Sequence, residues 1–257
     1  MNRDTLVHTL LDLAASIGDG RRMAILGEGN VSGALDRDRF LVKASGARMS
    51  DLKAEQLVEV RAEPLVAAVE SEELLPDEAV EGLLLASRVE CFALKPSVES
   101  LFHAWLLAQP GIRFVGHAHP IAVNQLLCSP AAQQFALKRL FPDHVVYCGA
   151  ESVLVPYVDP GLTLARRIAA EVNAFRMRSD RLPTTILLEN HGVIAVGGSA
   201  AEVDAALAMC EKAAEVFVGA AAVGGPVFMT SEHVRRIEGR IDEHYRQHML
   251  RGEAGTA

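Results

Sequence analysis

One short segment constrains this chain more than any other. A run of apolar residues that begins at Phe114 ends in two histidines, His117 and His119, and Pro120 follows them. Side chains two residues apart on a β-strand project from the same face. Both imidazoles can therefore approach one point just beyond the end of a buried strand. A divalent metal ion such as Zn²⁺ accepts that geometry, although the pair alone is equally typical of ordinary polar residues at a strand end.

The composition is that of an acidic globular chain. Half of the 257 residues are hydrophobic, 23% are charged, and the formal net charge is −8. The sequence has neither a basic stripe nor an apolar run of membrane-spanning length, so we expect no nucleic-acid or membrane partner. The N-terminus lacks the apolar core of a signal peptide, which predicts a cytoplasmic protein. No linker divides the chain, and we expect one domain over residues 1–257.

The four cysteines carry no functional signal. They lie far apart in sequence and form no Cys-x-x-Cys pair. This spacing fits neither a zinc ribbon nor a redox pair, so we expect free, buried thiols.

Hydrophobic periodicity and turn residues predict alternating helices and strands. We expect strands at 39–43, 58–60, from residue 114, at 145–147 and 152–157, and on both sides of residues 190–192. We expect helices at 4–17, from Ser50, at 97–108, after Pro120 to 127, from there to 140, after 161 to 175, at 199–220 and at about 230–250. The acidic stretch 70–81 reads as a solvated loop.

Two small-residue segments offer backbone N–H groups to a ligand. The first runs from Gly27 to Gly33 and contains Asn30; the second is the turn at Ser45 and Gly46. Such glycine-rich loops can form an anion-binding nest. The first segment is also typical of an everyday hairpin turn.

A carboxylate lies at the start of the helix that leads into the histidine strand. Pro96 and Ser97 predict the N-terminus of that helix, with Ser97 as its cap and Glu99 in its first turn. Glu99 has an ordinary explanation, since the helix dipole favours a carboxylate there. The short connection to the strand makes Glu99 a candidate for the same site as the histidines, but the sequence leaves open which end of that strand lies beside it.

A polar triplet interrupts two buried strands near the end of the sequence. Asn190, His191 and Gly192 stand between apolar runs that each read as a strand. Polar groups in such a place are costly unless they find partners. We therefore take His191 as the candidate third metal ligand.

Together these blocks resemble the class II aldolase/adducin family, a group of sugar-phosphate aldolases and epimerases. Five segments occur in the family's order and cover nearly the whole chain. They are 29–32, 45–46, 96–99, 117–119 and 190–192. The resemblance implies a three-layer α/β/α sandwich around a mostly antiparallel mixed sheet, and a homotetramer with active sites at its interfaces.

The resemblance also implies a role for each site residue. His117, His119 and His191 would hold one divalent metal ion, usually Zn²⁺, with Mn²⁺ or Co²⁺ as alternatives. Glu99 stands where the aldolases keep their acid/base glutamate. Tyr147 matches a tyrosine that a neighbouring subunit supplies to protonate the leaving aldehyde. The metal would act as a Lewis acid that stabilises the enediolate formed by retro-aldol cleavage of a ketose phosphate or related hydroxyketone.

Four further positions match the family's phosphate-binding residues: Asn30, Ser45, Gly46 and Ser97. Glu28 and Val98 replace hydroxyl residues that relatives often have nearby, and Glu28 would repel a dianion unless it points away. Cationic side chains flank the same loops and could restore a positive field (Lys43, Arg48, Lys95). The substrate is therefore either phosphorylated or a smaller hydroxyketone or keto acid.

Other activities remain open on the same residues. Epimerases of the family usually have aspartate at the position of Glu99, which favours carbon–carbon cleavage here. A sugar-phosphate epimerase, a keto-acid phosphate decarboxylase and a non-catalytic adducin-head-like binding module are the alternatives. Tyr245, in the C-terminal segment, is a candidate to close over the site, or else a surface or interface residue.

Overall fold

The computed structural model describes residues 1–240, and within them a seven-stranded sheet forms the centre. Its strands are β1 (Asn30–Ala34), β2 (Arg39–Lys43), β3 (Leu57–Arg61), β4 (Phe114–Ala118), β5 (Val153–Val155), β6 (Thr185–Leu188) and β7 (Gly192–Gly197). They lie in the order β3-β2-β1-β4-β7-β6-β5. Neighbouring strands are antiparallel except for the parallel pair β5–β6.

Helices cover both faces of the sheet. One face packs against α1 (Arg3–Ala15), α5 (Ile121–Leu127) and α9 (Ala200–Ala221). The other packs against α2 (Glu63–Glu70), α4 (Ser100–Leu107) and α8 (Leu162–Ser179). The remaining described helices are α3 (Asp77–Ser87), α6 (Ala132–Leu137), α7 (Pro142–Cys148) and α10 (Ser231–Glu238). This arrangement confirms the predicted three-layer sandwich around a mostly antiparallel mixed sheet.

The central strands bury both of their faces. On β7, Val193 and Ala195 belong to the hydrophobic cluster under α1 and α9, whereas Ile194 and Val196 belong to the cluster under α4 and α8. Alternate side chains point to opposite faces, so a strand between two helical layers must be apolar throughout. This explains why the sequence around residues 185–197 reads as two continuous apolar runs.

The segment at 145–147 is a helix and not the predicted strand. Helix α7 has Pro142 in its first turn, and Gly149, whose φ is +76°, follows its last residue, Cys148. Proline at the start and glycine just past the end mark a short helix, and these two signals outweigh the β-branched pair Val145 and Val146. Tyr147 therefore lies on a helix.

The structure also revises the predictions for the acidic and Ser50 segments. The loop expected over residues 70–81 is confined to 71–76: α2 ends at Glu70 and α3 begins at Asp77, with acidic residues that complement the dipole of its first turn. The expected helix from Ser50 is replaced by turns and a short 3₁₀ helix at Ala54–Gln56, since the chain must become extended to pair with β2.

The described cysteines are all free, as expected, but only Cys148 and Cys210 are buried, whereas Cys91 and Cys128 are exposed. No helix within residues 1–240 is long and apolar enough to cross a membrane. Tyr245 and the end of the predicted C-terminal helix lie outside the described residues, beyond Glu238 of α10.

The packing of α9 on β4 yields a test of the fold. A Cβ atom at Gly116 would lie 2.7 Å from Val203 Cγ1 and 3.2 Å from Leu207 Cδ1. Gly116→Ala should lower the free energy of unfolding by about 1–3 kcal/mol through overpacking, measured by urea denaturation. The control is Gly82→Ala in α3, where a Cβ meets nothing within 4 Å and should be neutral or stabilising by up to ~1 kcal/mol. Equal stabilities of the two variants would contradict this packing.

Candidate metal centre

Three histidines meet at one end of the sheet. His117 lies near the end of β4, His119 directly follows that strand, and His191 lies in the turn between β6 and β7. One nitrogen from each ring falls within 4.8 Å of the other two, and the ring centroids are 4.7–5.0 Å apart. Imidazole nitrogens at this spacing form a donor set that could hold a divalent metal ion.

Strand pairing and one amide place these rings. Because β4 pairs with β7, His117 lies opposite Ile194 and the turn with His191 falls beside the end of β4. Asn124 of α5 donates through Nδ2 to the backbone oxygen of His191 at 3.0 Å and fixes the turn. Gly192 leaves room for the rings, since a Cβ there would lie 2.7 Å from His119 Cδ2 and 3.3 Å from His117 Cε1.

The hydrogen bonds of the rings show that the residues fit a metal. His117 Nδ1 lies 3.0 Å from the backbone oxygen of Val193, and His119 Nδ1 lies 3.1 Å from Oε2 of Glu28. Both acceptors assign the hydrogen to Nδ1, so the Nε2 atoms of the neutral rings carry lone pairs. These two Nε2 atoms are 2.9 Å apart. Lone pairs that face each other at this distance repel unless a cation, either a proton or a metal ion, lies between the rings.

Glu99 brings a carboxylate to the same point. Its Oε1 lies 3.2 Å from His117 Nε2 and 3.6 Å from His191 Nε2. Asn30 donates through Nδ2 to the other oxygen at 3.4 Å, and Asn30 itself is held in β1 opposite His117. The sequence left open which end of the histidine strand lies beside Glu99, and the structure brings all four side chains together.

The start of α4 differs from the prediction. The helix begins at Ser100, and Glu99 occupies the N-cap position without a side-chain capping bond. Ser97 instead accepts the backbone N–H of Glu99 through its hydroxyl, within a turn that precedes the helix. An isolated bridge between Ala44 and Pro96 pins this turn. The Glu99 carboxylate therefore makes no capping hydrogen bond, and it faces the histidines.

Burial and charge shift the pKa values of these groups. Burial would raise the pKa of Glu99, but the His117 charge and hydrogen bond outweigh it and hold that pKa well below its usual range. Burial would lower the pKa of His117, but the Glu99 carboxylate raises it. Burial and the neighbouring His117 lower the pKa of His119, and they lower that of His191 to about 4. His119 and His191 are thus neutral at pH 7, as metal ligands must be.

The predicted anion-binding segments lie side by side at this end of the sheet. Ser45 and Gly46 form an exposed turn, and the Ser45 N–H donates to the backbone oxygen of Lys95, two residues before Ser97. Gly27 lies against Gly46, since a Cβ at Gly27 would be 3.5 Å from the Gly46 oxygen. Gly46 has φ of +74°. Asn30 completes the group through its bond to Glu99.

The flanking cations are each engaged within the chain. Lys43 is buried and donates to the backbone oxygens of Ala47 at 2.8 Å, Gly27 at 3.3 Å and Ala44 at 3.4 Å. Lys95 pairs with Glu81 at 2.7 Å. The Lys43 ammonium joins the two glycine-containing loops.

Tyr147 is far from this cluster within one chain. It lines a cavity together with Gly197 and Gly198, at the end of β7 that pairs with Phe114. That end is opposite to His117, about 10 Å away along the strand. The structure of the single chain does not bring Tyr147 to the histidines.

Sequence reasoning missed three residues that shape the site. Glu28 was weighed only as a repulsive charge, yet it contacts His119. Asn124 gave no signal, because its role depends on how α5 docks beside the 190–192 turn. His103 lies one turn after Glu99 and is fully buried, with its Nδ1 2.6 Å from the Ser32 hydroxyl. Burial lowers the pKa of His103 to about 3, so it is neutral.

Comparison with known proteins identifies sequences and structures that are similar to this chain. A family model described as "Class II Aldolase and Adducin N-terminal domain" matches residues 9–218. A Bacillus subtilis protein, the uncharacterized oxidoreductase YuxG, is 28% identical over 70% of the chain, which spans only 25% of that relative's length. The 3-oxo-tetronate 4-phosphate decarboxylase of Haemophilus influenzae is 29% identical over 69% of this chain and 70% of its own.

A solved structure shares the fold. The N-terminal class II aldolase domain of a conserved Thermoplasma acidophilum protein superposes with a TM-score of 0.68 at 25% identity. The match covers 85% of this chain and 96% of that one.

The space at Gly192 provides a test of the cluster. A Cβ there would also lie 2.5 Å from the Ala118 backbone oxygen, so Gly192→Ala should push the turn away and separate His191 from His119. We expect this variant to lose, on dialysis, metal that the wild type retains, measured by elemental analysis. In Gly198→Ala, just past the other end of β7, the new Cβ would lie 3.3 Å from the flexible Glu202 carboxylate and at an ordinary contact distance of 3.5 Å from the Gly111 oxygen, so this variant should retain its metal. Full retention by both variants would contradict the proposed crowding.

Proposed function

The chain belongs to the class II aldolase and adducin family, and from this premise we propose that it is a divalent-metal-dependent lyase that breaks a carbon–carbon bond of a ketose phosphate or related hydroxyketone. The observation that supports this is the Glu99 carboxylate, 3.2 Å from His117 Nε2 within the histidine cluster. Three nitrogen ligands with an acid/base group beside them are typical of a catalytic rather than a structural metal site.

The three histidines would hold the metal, for which we propose Zn²⁺, with Mn²⁺ or Co²⁺ as alternatives. When bound, such an ion supplies Lewis acidity that stabilises negative charge developing on the substrate oxygens. His119 and His191 are neutral at pH 7. The Nδ1 hydrogen bonds of His117 and His119 direct their Nε2 atoms toward the metal position.

Glu99 performs the proton transfer. In the synthetic direction the Glu99 carboxylate removes a proton from the substrate carbon that becomes nucleophilic. In the cleavage direction it passes a proton taken up from solvent water to that carbon, which keeps the electron pair of the broken bond. Asn30 orients the carboxylate through its 3.4 Å hydrogen bond. General acid–base catalysis of this kind contributes roughly 10²–10⁴-fold to the rate.

The loops around the metal centre would bind the anionic end of the substrate. Ser45, Gly46 and Ser97 lie on adjacent turns. Lys43 connects the two glycine-containing loops through hydrogen bonds to their backbone oxygens. The Glu28 carboxylate is turned toward His119, which removes the main objection to a phosphate at this place. We therefore propose a phosphorylated substrate, and inorganic phosphate at millimolar concentration should compete with it.

Decarboxylation of a keto-acid phosphate is the second candidate. The Haemophilus relative carries that activity in its name and matches most of both chains. The chemistry requires the same residues, since loss of carbon dioxide also leaves an electron pair on a carbon beside a carbonyl group. Release of an aldehyde or of carbon dioxide from a panel of ketose phosphates and keto-acid phosphates separates the two candidates.

Replacing the acid/base group tests the proposal. Glu99→Gln keeps the shape of the side chain but cannot exchange the proton, so kcat should fall by about 10²–10⁴-fold while one metal ion per chain is retained. His117→Ala is the matched control: it should lose the metal as well as the activity. Full activity of Glu99→Gln would refute the assignment. Absence of metal from the wild type after reloading would favour a binding module.

We also propose that Tyr147 acts in the site of a neighbouring subunit of a homotetramer. It lies at the opposite end of the sheet from its own histidines, so only another copy of the chain can bring it close. There its hydroxyl would exchange a proton with the aldehyde oxygen. Symmetric oligomers commonly share sites in this way.

Mixed oligomers test this sharing. Glu99→Gln and Tyr147→Phe should each be nearly inactive alone, whereas co-expressed subunits should recover about one quarter of wild-type activity, since one interface in four then combines an intact Glu99 with an intact Tyr147. Activity equal to the average of the two separate variants would show that Tyr147 does not act across an interface. Size-exclusion chromatography of the same samples checks the oligomer.

A further inference from the structure

Glu28 makes two hydrogen bonds that hold its carboxylate against a histidine of the metal centre. Oε2 lies 3.1 Å from His119 Nδ1, and Oε1 accepts the backbone N–H of Ile25 at 2.7 Å. The Glu28 side chain is 31% exposed and that of His119 is 19% exposed. The carboxylate is therefore held on both oxygens in a partly dry environment, where such bonds are stronger than in water.

The loop around Glu28 is built to keep this contact. The Glu28 N–H donates to the Ile25 oxygen at 3.2 Å and closes a tight turn, in which Leu26 has φ of +52°. The backbone N–H of His119 donates to the Met23 oxygen at 2.8 Å. His119 is thus tied to the 23–28 segment by its backbone and by its side chain, so the carboxylate and the ring have little freedom to separate.

A carboxylate in this place changes the histidine as a ligand. It fixes the hydrogen on Nδ1, orients the ring and makes Nε2 more basic. His117 has only the neutral backbone oxygen of Val193 at its Nδ1. The Nδ1 partner of His119 is therefore a charged carboxylate, whereas that of His117 is a neutral carbonyl oxygen.

We propose that Glu28 is a positioning residue for the metal centre: its carboxylate holds His119 in the tautomer and orientation in which Nε2 binds the ion, and so raises metal affinity. This inference rests on the proposed function. It also explains why a carboxylate is compatible with an anionic substrate here, because both of its oxygens are engaged by hydrogen-bond donors of the chain, the Ile25 N–H and the His119 ring.

The difference between a carboxylate and an amide gives a sharp test. Glutamine has one acceptor oxygen, whereas the Ile25 N–H and the His119 Nδ1–H both need an acceptor. Glu28→Gln must therefore leave one donor facing an NH₂ group, and Glu28→Ala leaves both without a partner. Mutation of a residue that is hydrogen-bonded to a metal-binding histidine typically lowers metal affinity by about 10–100-fold. We expect a loss in this range for Glu28→Gln and a loss at least as large for Glu28→Ala.

The experiment measures affinity without turnover. Dissociation constants for Zn²⁺ are obtained by competition with a chromophoric chelator, and the absorption spectrum of the Co²⁺-loaded protein reports the ligand geometry. The control is Asp51→Asn, which removes the same charge from an exposed carboxylate near the Ser45 turn that pairs with Arg48 at 3.8 Å. A loss confined to the Glu28 variants supports the proposal, whereas an equal loss in Asp51→Asn would reduce it to a general effect of charge.

The outcomes separate this inference from the proposed function. A wild type that binds no metal refutes the function. A wild type that binds one ion per chain, with Glu28→Gln binding equally tightly, refutes only the role of Glu28. Should the variants fold poorly, ¹⁵N chemical shifts of the His119 ring in the zinc-loaded wild type decide the matter: a hydrogen on Nδ1 supports the proposal, and a hydrogen on Nε2 overturns it.

Discussion

The pairing of β4 with both of its neighbours is the constraint on which the site depends. His117 lies opposite Asn30 on β1 and opposite Ile194 on β7. The first pairing brings the Asn30 amide to Glu99, and the second brings the Val193 oxygen to His117 Nδ1. A slip of one residue would turn His117 to the other face of the sheet. The buried apolar faces of these strands hold the register and thereby set the distances between the side chains of the candidate site.

The same end of the sheet concentrates polar groups that proteins rarely bury. His117, His103 and Lys43 are almost completely inaccessible, and each has hydrogen-bond partners. Two buried atoms, Asn30 Oδ1 and His103 Nε2, have no hydrogen-bond partner among residues 1–240. Each such atom costs about 1–3 kcal/mol. The hydrophobic clusters on both faces of the sheet offset this cost, and the site keeps hydrogen-bonding capacity that ligands or water can use.

The sequence was sufficient to predict those parts of the site that depend on a single strand or turn. The His117–His119 spacing follows from the strand period, and the 190–192 turn follows from two apolar runs with a polar break. The helix of Tyr147 was missed because its β-branched residues suggested a strand, whereas the Pro142 and Gly149 boundaries determine it. The contacts of Glu28 and Asn124 depend on segments about 90 and 70 residues away, which no periodicity reveals.

The loops that border the histidines contain left-handed backbone, and hydrogen bonds offset its energetic cost. Leu26 and Asn190 are non-glycine residues with φ of +52° and +55°. Left-handed backbone costs such residues roughly 1–2 kcal/mol each. At Leu26 the cost is offset by the turn from Ile25 to Glu28, and at Asn190 by its N–H bond to the Leu127 oxygen at 3.2 Å. Both turns put a metal-centre side chain, Glu28 or His191, one or two residues after the strained position. The strain is thus the means by which short loops direct these side chains inward.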